Sequence, residues 1–177
     1  MVQPIRRVYT GHNDEGRSVF ISDANAPAVK EMDSMPGLAI TDLWVTNGPV
    51  ASNAGSDDAT ADRSIVLEPP AGGSIFRVVE FPPDTAWKNS ANADEWSKAI
   101  GADHVNDHTV DDPMMHKTAT VDYLIVLKGE IWAITDDGEV CLKQGDCMIQ
   151  RGTNHSWSVR TDEPCLLMAV LVDATAV

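Results

Sequence analysis

The sequence predicts an all-β protein, an antiparallel sandwich or barrel with an N-terminal strand-bearing extension and one short helix. The first observation is that short apolar or β-branched runs alternate with Gly-, Asn- and Asp-rich turn signals along the chain. The second is that many such runs follow one another at close spacing, as in sandwiches and small barrels. A chain of 177 residues with 43% hydrophobic side chains is also long enough to bury one core.

Residues 1–69 are predicted to be an extension that packs on a barrel formed by residues 70–177. The extension carries four predicted strands: Arg7–Thr10, Ser18–Ile21, Leu38–Thr46 and Ser64–Leu67. Its residues 49–63 are rich in Ser, Asn, Asp, Ala and Gly and predict a surface loop, which could close over the mouth of the barrel. Because the strands of the extension need a partner edge, we expect them to cover an outer face of the barrel or to exchange onto a second copy.

The second part of the chain opens with a predicted strand at Ser74–Phe81 and a predicted helix at Asn92–Ile100. Asn92 is a favoured N-cap residue, Glu95 stands three positions on as in a capping box, and Gly101 is a stop signal. Six more strands are predicted after the helix: Val121–Leu127, Glu130–Thr135, Val140–Leu142, Cys147–Gln150, Ser156–Arg160 and Cys165–Val172. Turn-forming residues separate them, which favours an antiparallel arrangement.

Charge and composition exclude several classes of partner. The formal net charge is −14, which disfavours binding to nucleic acid and to anionic lipid. The longest apolar run, Cys165–Val172, is too short to span a bilayer, and the N-terminus does not resemble a signal peptide. The three cysteines, Cys141, Cys147 and Cys165, are predicted to be buried reduced thiols. We therefore expect a cytoplasmic protein that binds neither nucleic acid nor membranes.

The residues that suggest chemistry fall in two stretches. In the first, strand alternation places four polar side chains on one face: His116, Thr118, Thr120 and Asp122. Such a row is costly inside a barrel unless it is paired, hydrated or bound to a ligand. The second stretch begins at Gln150 and places His155 and Trp157 on one face after a turn. Trp157 is a candidate wall of a substrate pocket, as are the flexible Met114 and Met115 at its mouth.

These two stretches resemble the motifs of the cupin family. The first cupin motif is His-x-His, three or four residues, Glu, six residues and Gly, and His116, Asp122 and Gly129 match it. The second runs from Gly to Pro-x-Gly-x-x-His and a final Asn, and it is matched by Gly145-Asp146 and Gly152-Thr153-Asn154-His155. The resemblance implies a small antiparallel jelly-roll barrel and, because many small cupins are dimers, a homodimer.

The motifs also depart from the family pattern. Thr118 replaces the second His, Asp122 the Glu, Gln150 the Pro and Val159 the final Asn. Cupins hold a divalent metal with three His and one Glu, so the resemblance leaves at most three ligands here: His116, Asp122 and His155. These three could bind Fe, Mn, Ni or Zn with open positions. They could instead form an acid/base site without metal, or a purely structural polar network.

The expected function is that of an enzyme acting on a small organic substrate inside the barrel. A lyase (dehydratase or decarboxylase) or an isomerase is favoured, with His116, Asp122 and His155 as catalytic groups. The predicted substrate-binding residues are Thr118, Thr120, Gln150 and Trp157. The alternatives are a non-catalytic binding or sensing protein and an iron-dependent dioxygenase.

Other histidines and tryptophans are given structural interpretations. His104 and His108 lie four residues apart in an acidic, loop-like stretch, where we expect solvated side chains rather than a metal pair. Trp44, Trp87 and Trp96 lie outside the predicted barrel strands and are expected to cap the barrel or to form a dimer contact.

Overall fold

The structure, a computed structural model, describes residues 2–88, 93–107, 109–112 and 114–176. Its strands are β1 Arg6–His12, β2 Ser18–Asn25, β3 Ala28–Glu31, β4 Ala39–Thr46, β5 Ser74–Phe81, β6 Thr120–Lys128, β7 Glu130–Thr135, β8 Gly138–Lys143, β9 Cys147–Arg151, β10 His155–Ser158 and β11 Cys165–Asp173. A short 3₁₀ turn at Asp84–Ala86 and the helix α1, Ala93–Ala99, lie between β5 and β6. The predicted all-β class with one short helix is confirmed.

Two antiparallel sheets face each other. The larger sheet has the order β3-β4-β5-β11-β6-β9, and the smaller has the order β10-β7-β8. The chain crosses from one sheet to the other at several connections, such as the one from β6 to β7. Gly129 makes this crossing possible, because its φ is +79° and a Cβ there would lie 2.9 Å from the carbonyl oxygen of Pro164. The result is the jelly-roll barrel that the sequence predicts.

Apolar side chains from both sheets meet between them in one core. Burial alternates along β6 and β11, so that every second side chain points inward. The buried members are Leu124, Val126, Ile131, Ala133, Leu142, Trp157, Val159, Cys165, Leu167, Ala169 and Leu171. Each large aliphatic side chain buried in this way contributes about 1.5–3 kcal/mol to folding, so this core holds the barrel walls in fixed positions.

The N-terminal extension is partly built into the barrel sheet. β4 pairs with β5 along its whole length and β3 pairs with β4, while β1 and β2 form a separate hairpin. The hairpin is anchored by Arg7, which donates to the carbonyl of Leu43 and forms an ion pair with Asp58. The domain boundary at residue 69 stays a prediction. β4 lies before this boundary and β5 after it, and the two strands pair in one sheet.

Several predicted elements differ from the structure. The predicted strand Ser64–Leu67 is irregular, because the carbonyls of Val66 and Leu67 accept hydrogen bonds from Arg77 instead of a neighbouring strand. The strand β3 was not predicted, since two of its four residues are charged. The helix matches its prediction closely, but the predicted cap Asn92 lies outside the described residues.

The loop of residues 49–63 does not close over the barrel. Its Asp58 binds Arg7, and none of its residues lines the cavity inside the barrel. The prediction of three buried thiols is wrong for Cys147, which is exposed, and Cys141 is only half-buried. Cys165 is buried, and burial raises its pKa to about 12. Within the described ranges, no helix has the length and apolar character needed to cross a membrane.

Candidate functional site

A cavity of about 90 Å³ lies inside the barrel between the two sheets. Its wall is mainly apolar, with Phe81 and Trp157 in contact at a centroid distance of 6.1 Å. Six polar side chains interrupt this wall: Arg77, His116, Thr118, Asp122, Gln150 and His155. A small apolar cavity with a few convergent polar groups is the usual form of a ligand site.

One end of the cavity is closed by parts of the chain outside the barrel strands. Met32 and Leu38 come from the extension, and Trp96 and Ile100 from the helix and the turn after it. They pack with Met114 in a second apolar cluster. Trp96 meets His116 edge-on at a centroid distance of 5.6 Å. The expectation that Trp96 caps the barrel therefore agrees with the structure.

The two site histidines lie side by side. His116 and His155 exchange backbone N–H···O bonds of 2.9 Å in both directions, and their ring centroids are 4.1 Å apart. Each Nδ1 lies against the backbone carbonyl two residues earlier, at 2.7 Å from Met114 O and 2.9 Å from Thr153 O. A carbonyl only accepts, so each Nδ1 carries a proton and the neutral ring keeps its lone pair on Nε2.

Both imidazoles are held in the neutral form. Burial lowers the pKa of His116, and it lowers the pKa of His155 well below its ordinary value with the help of repulsion from His116. The Gln150 amide nitrogen lies 2.8 Å from both ring nitrogens of His155. Because Nδ1 already donates to Thr153, the Gln150 amide donates to Nε2. His116 lines the cavity, so the lone pair on its Nε2 is a base in the cavity wall.

Asp122 lies at the end of a hydroxyl chain. Thr120 donates to the Asp122 carboxylate, and the hydroxyl oxygens of Thr118 and Thr120 are 2.8 Å apart. Burial raises the pKa of Asp122 to about 6, against the opposing effects of Thr120 and Arg77. Among the described residues, neither Asp122 Oδ1 nor Gln150 Oε1 has a hydrogen-bond partner.

A buried ion pair completes the polar wall. Arg77 binds Asp42 through Nε at 2.9 Å and through one terminal nitrogen at 3.2 Å. The same guanidinium donates to the carbonyls of Val66 and Leu67, at 2.7 and 3.3 Å. Sequence reasoning missed this pair, although a charged residue at an inward position of the apolar strand Ser74–Phe81 was a visible signal.

The structure brings most of the predicted site residues together. His116, Thr118, Asp122, Gln150, His155 and Trp157 all line the cavity. Thr120 is buried behind Asp122 and does not line it. His104 is exposed and contacts Glu68 at 2.9 Å, in agreement with the expectation of a solvated side chain, whereas His108 lies outside the described residues.

The predicted metal ligands do not form a metal centre in this arrangement. Within the described ranges, no three His, Cys, Asp or Glu side chains come together as a group that could hold a metal ion. Asp122 is bound by Thr120, and its second oxygen is enclosed without a partner. The donor set His116, Asp122 and His155 therefore does not fit a three-ligand metal site as it stands.

The fold and cavity define a class, that of small jelly-roll barrels with an internal ligand site, and comparisons identify the family. No family model matches the chain. The chain is 46% identical over 157 residues to oryzines biosynthesis cluster protein J of Aspergillus oryzae, covering 86% of this chain and 73% of that one. It is 32% identical over 163 residues to phomopsin biosynthesis cluster protein C' of Diaporthe leptostromiformis, covering 88% and 70%. It is 29% identical over 174 residues to the cupin-domain-containing oxidoreductase virC of Hypocrea virens, covering 94% and 75%.

The chain belongs to the cupin superfamily, as its two motifs predicted. Among solved structures, it resembles a putative ethanolamine utilization protein Q from Salmonella typhimurium, with a TM-score of 0.46 and 12% identity. That alignment covers 98% of this chain and 99% of the other.

Proposed function

We propose that this cupin is an enzyme that moves protons on a small organic substrate, as a lyase (dehydratase or decarboxylase) or an isomerase. The observation that carries the proposal is the unprotonated Nε2 of His116, a base in the wall of an apolar cavity. Because burial lowers the pKa of His116, its ring is unprotonated at neutral pH and can accept a proton. Asp122 and His155, the other predicted catalytic groups, line the same cavity.

A dehydration or an isomerisation needs one proton to leave the substrate and to return elsewhere. In a decarboxylation the bond between carbon and the carboxylate breaks, CO₂ is released, and the carbanion takes up a proton from water. His116 Nε2 accepts the proton from a substrate C–H or O–H group. In an isomerisation, the imidazolium returns the proton to another atom of the substrate. In a dehydration, it gives the proton to the leaving hydroxyl, so a C–H and a C–O bond break, a C=C bond forms and water is released. The charge of Asp112 favours the imidazolium, because it acts to raise the pKa of His116.

Deuterium exchange tests this proposal. Small β-hydroxy ketones and enolisable 1,3-diketones are incubated with the protein in D₂O, and deuterium incorporation or water loss is followed by NMR. We expect His116→Gln to lower the rate by about 10²–10⁴-fold, since a positioned base contributes that much. The exposed His104 provides the matched control, and His104→Gln should leave the rate unchanged. An equal loss in both variants, or no loss in either, contradicts the role of His116.

A second candidate, an oxidoreductase, is supported by the names of relatives. Three similar proteins, from Hypocrea virens, Neurospora crassa and Aspergillus ruber, are called cupin-domain-containing oxidoreductases. Bound Fe, Mn, Ni or Zn would supply Lewis-acid or redox chemistry, and His116, Asp122 and His155 would have to move together before they could act as its ligands. Mass spectrometry of metals in the wild type, His116→Ala and His155→Ala tests this candidate. Stoichiometric metal that is lost in both variants supports it, whereas a wild type that stays free of metal after reconstitution contradicts it.

A cytoplasmic location stays a proposal.

Homodimer formation also stays a proposal, and an apolar row on the outer face of the larger sheet supports it. Four side chains pair across four strands in this row: Phe76, Val170, Tyr123 and Ile149. Tyr123 and Ile149 are about half exposed. Light scattering should report a dimer for the wild type and a monomer for Tyr123→Ser. Its control, Val140→Ser, changes an equally exposed apolar side chain on β8 of the other sheet. A wild-type monomer would rule out the dimer.

A further inference from the structure

A hydroxyl in the cavity wall offers a ligand a lone pair. The hydroxyl oxygens of Thr118 and Thr120 are 2.8 Å apart, so one hydrogen bond joins them, and either hydroxyl can be its donor. Thr118 lines the cavity, and its oxygen keeps at least one lone pair that can accept a hydrogen bond from a ligand.

The histidines present acceptors as well. The Nδ1 protons of His116 and His155 are held by the carbonyls of Met114 and Thr153. Nε2 of His155 is already occupied by the Gln150 amide, and Nε2 of His116 keeps its lone pair. Neither ring has a free N–H to give to a ligand.

Two further acceptors in the wall have no partner in the described part of the chain. They are Asp122 Oδ1 and Gln150 Oε1, on side chains that are only 6% and 2% exposed. Asp122 on β6 and Gln150 on β9 are direct partners in the strand register, and both line the cavity. A buried acceptor without a hydrogen bond destabilises the protein, and a ligand donor that binds it removes this cost.

The wall has no unmatched positive charge among its described residues. Arg77 is neutralised by Asp42 and donates to two backbone carbonyls as well. The Nδ1 atoms of both histidines lie against backbone carbonyls, and Asp122 presents a carboxyl oxygen without a partner in the described part of the chain. A carboxylate or phosphate in this cavity would lose its hydration without a compensating cation.

We propose that the substrate is an uncharged, largely apolar molecule that presents one or two hydroxyl or N–H donors to His116, Asp122 and Gln150. This inference rests on the proposed function, because it assigns the same cavity to the substrate. An uncharged substrate cannot be a carboxylate. Of the reactions proposed above, dehydration and isomerisation therefore remain, and decarboxylation is excluded. A ligand hydroxyl that donates a hydrogen bond to Nε2 of His116 also directs its proton at the catalytic base.

Three ligands of one ring each test the proposal: benzyl alcohol, toluene and benzoate. Their dissociation constants are measured by NMR titration on the full chain in the presence of EDTA. We expect benzyl alcohol to bind at least about fivefold more tightly than toluene, the equivalent of one net hydrogen bond. We expect it to bind at least about tenfold more tightly than benzoate. Equal binding of benzyl alcohol and toluene, or tighter binding of benzoate, overturns the proposal.

A pair of isosteric variants locates the preference. Asp122→Asn removes the negative charge and adds N–H groups. The ratio of the dissociation constants of benzoate and benzyl alcohol should therefore fall at least about threefold. Asp137→Asn makes the same change in an exposed turn and should leave the ratio of the two dissociation constants unchanged. Equal effects of the two variants overturn the proposal.

The outcomes for substrate class and for catalysis are distinguishable. Binding is measured without turnover, so the expected preference can hold when proton transfer is absent, and only the proposed function then fails. Turnover of a carboxylate substrate that requires His116 would overturn the substrate class and leave the proton-transfer function standing.

Discussion

Replacing Asp122 with Asn should stabilise the protein at neutral pH. Asp122 is buried, and its pKa rises from 3.8 to about 6 on folding. The folded state therefore binds the carboxyl proton more tightly than the unfolded chain does. Each unit of pKa difference corresponds to about 1.36 kcal/mol, so ionised Asp122 lowers the free energy of unfolding by about 3 kcal/mol above pH 6. The cost develops as pH rises from 3.8 to 6 and is absent at lower pH.

Urea denaturation of the wild type and Asp122→Asn at pH 7.5 and pH 4 checks this reasoning. The Asn side chain keeps the shape of Asp and still accepts from Thr120, but it never ionises. We expect the variant to be more stable by up to about 3 kcal/mol at pH 7.5 and by less than about 1 kcal/mol at pH 4. Asp137→Asn, in an exposed turn, should change neither value. A destabilised Asp122→Asn at pH 7.5, or a difference independent of pH, would refute the reasoning.

Three further predictions concern stability. Asp42→Ala leaves Arg77 buried without its carboxylate and should cost about 3–5 kcal/mol in urea denaturation, whereas the double variant Asp42→Leu/Arg77→Met should recover most of the loss. Gly129→Ala should lower the melting temperature, because φ there is positive and a Cβ would meet backbone. Gly138→Ala, where a Cβ meets nothing within 4 Å, is its control, and equal shifts would contradict the steric argument. The lowered pKa of His155 predicts that the free energy of unfolding falls as pH drops below about 6.5, and His155→Gln should show a weaker fall on the acid side in urea denaturation. An equal fall in both proteins would contradict the lowered pKa.

The barrel could be predicted from the sequence because its strands are defined by patterns among residues that are close together in the chain. Strand alternation and turn residues define Ser74–Phe81 and Glu130–Thr135, and the structure gives both with the same bounds. Alternation also predicted that His116 and Asp122 share a face, and both line the cavity. The irregular segment Ser64–Leu67 shows the limit of this approach, because its carbonyls are bound by a side chain that no local pattern connects to it.

The interior of the site could not be predicted in the same way. Its electrostatics depend on contacts between distant parts of the chain, such as Asp42 with Arg77. Motif spacing suggested that Asp122 is a metal ligand or a partner of an imidazole. In the structure its hydrogen bond comes from Thr120, a neighbour on the same strand face. The direction in which each proton points follows from such contacts and from the backbone carbonyls of Met114 and Thr153.

The cavity is closed by side chains that do not belong to the strands carrying its polar groups. Met32 and Leu38 lie in the extension, Trp96 lies in the helix and Ile100 in the turn after it, whereas His116, Asp122 and Gln150 come from the barrel. Substitutions at Met32, Leu38, Trp96 or Ile100 can therefore change the shape of this part of the cavity without replacing any polar residue of its wall.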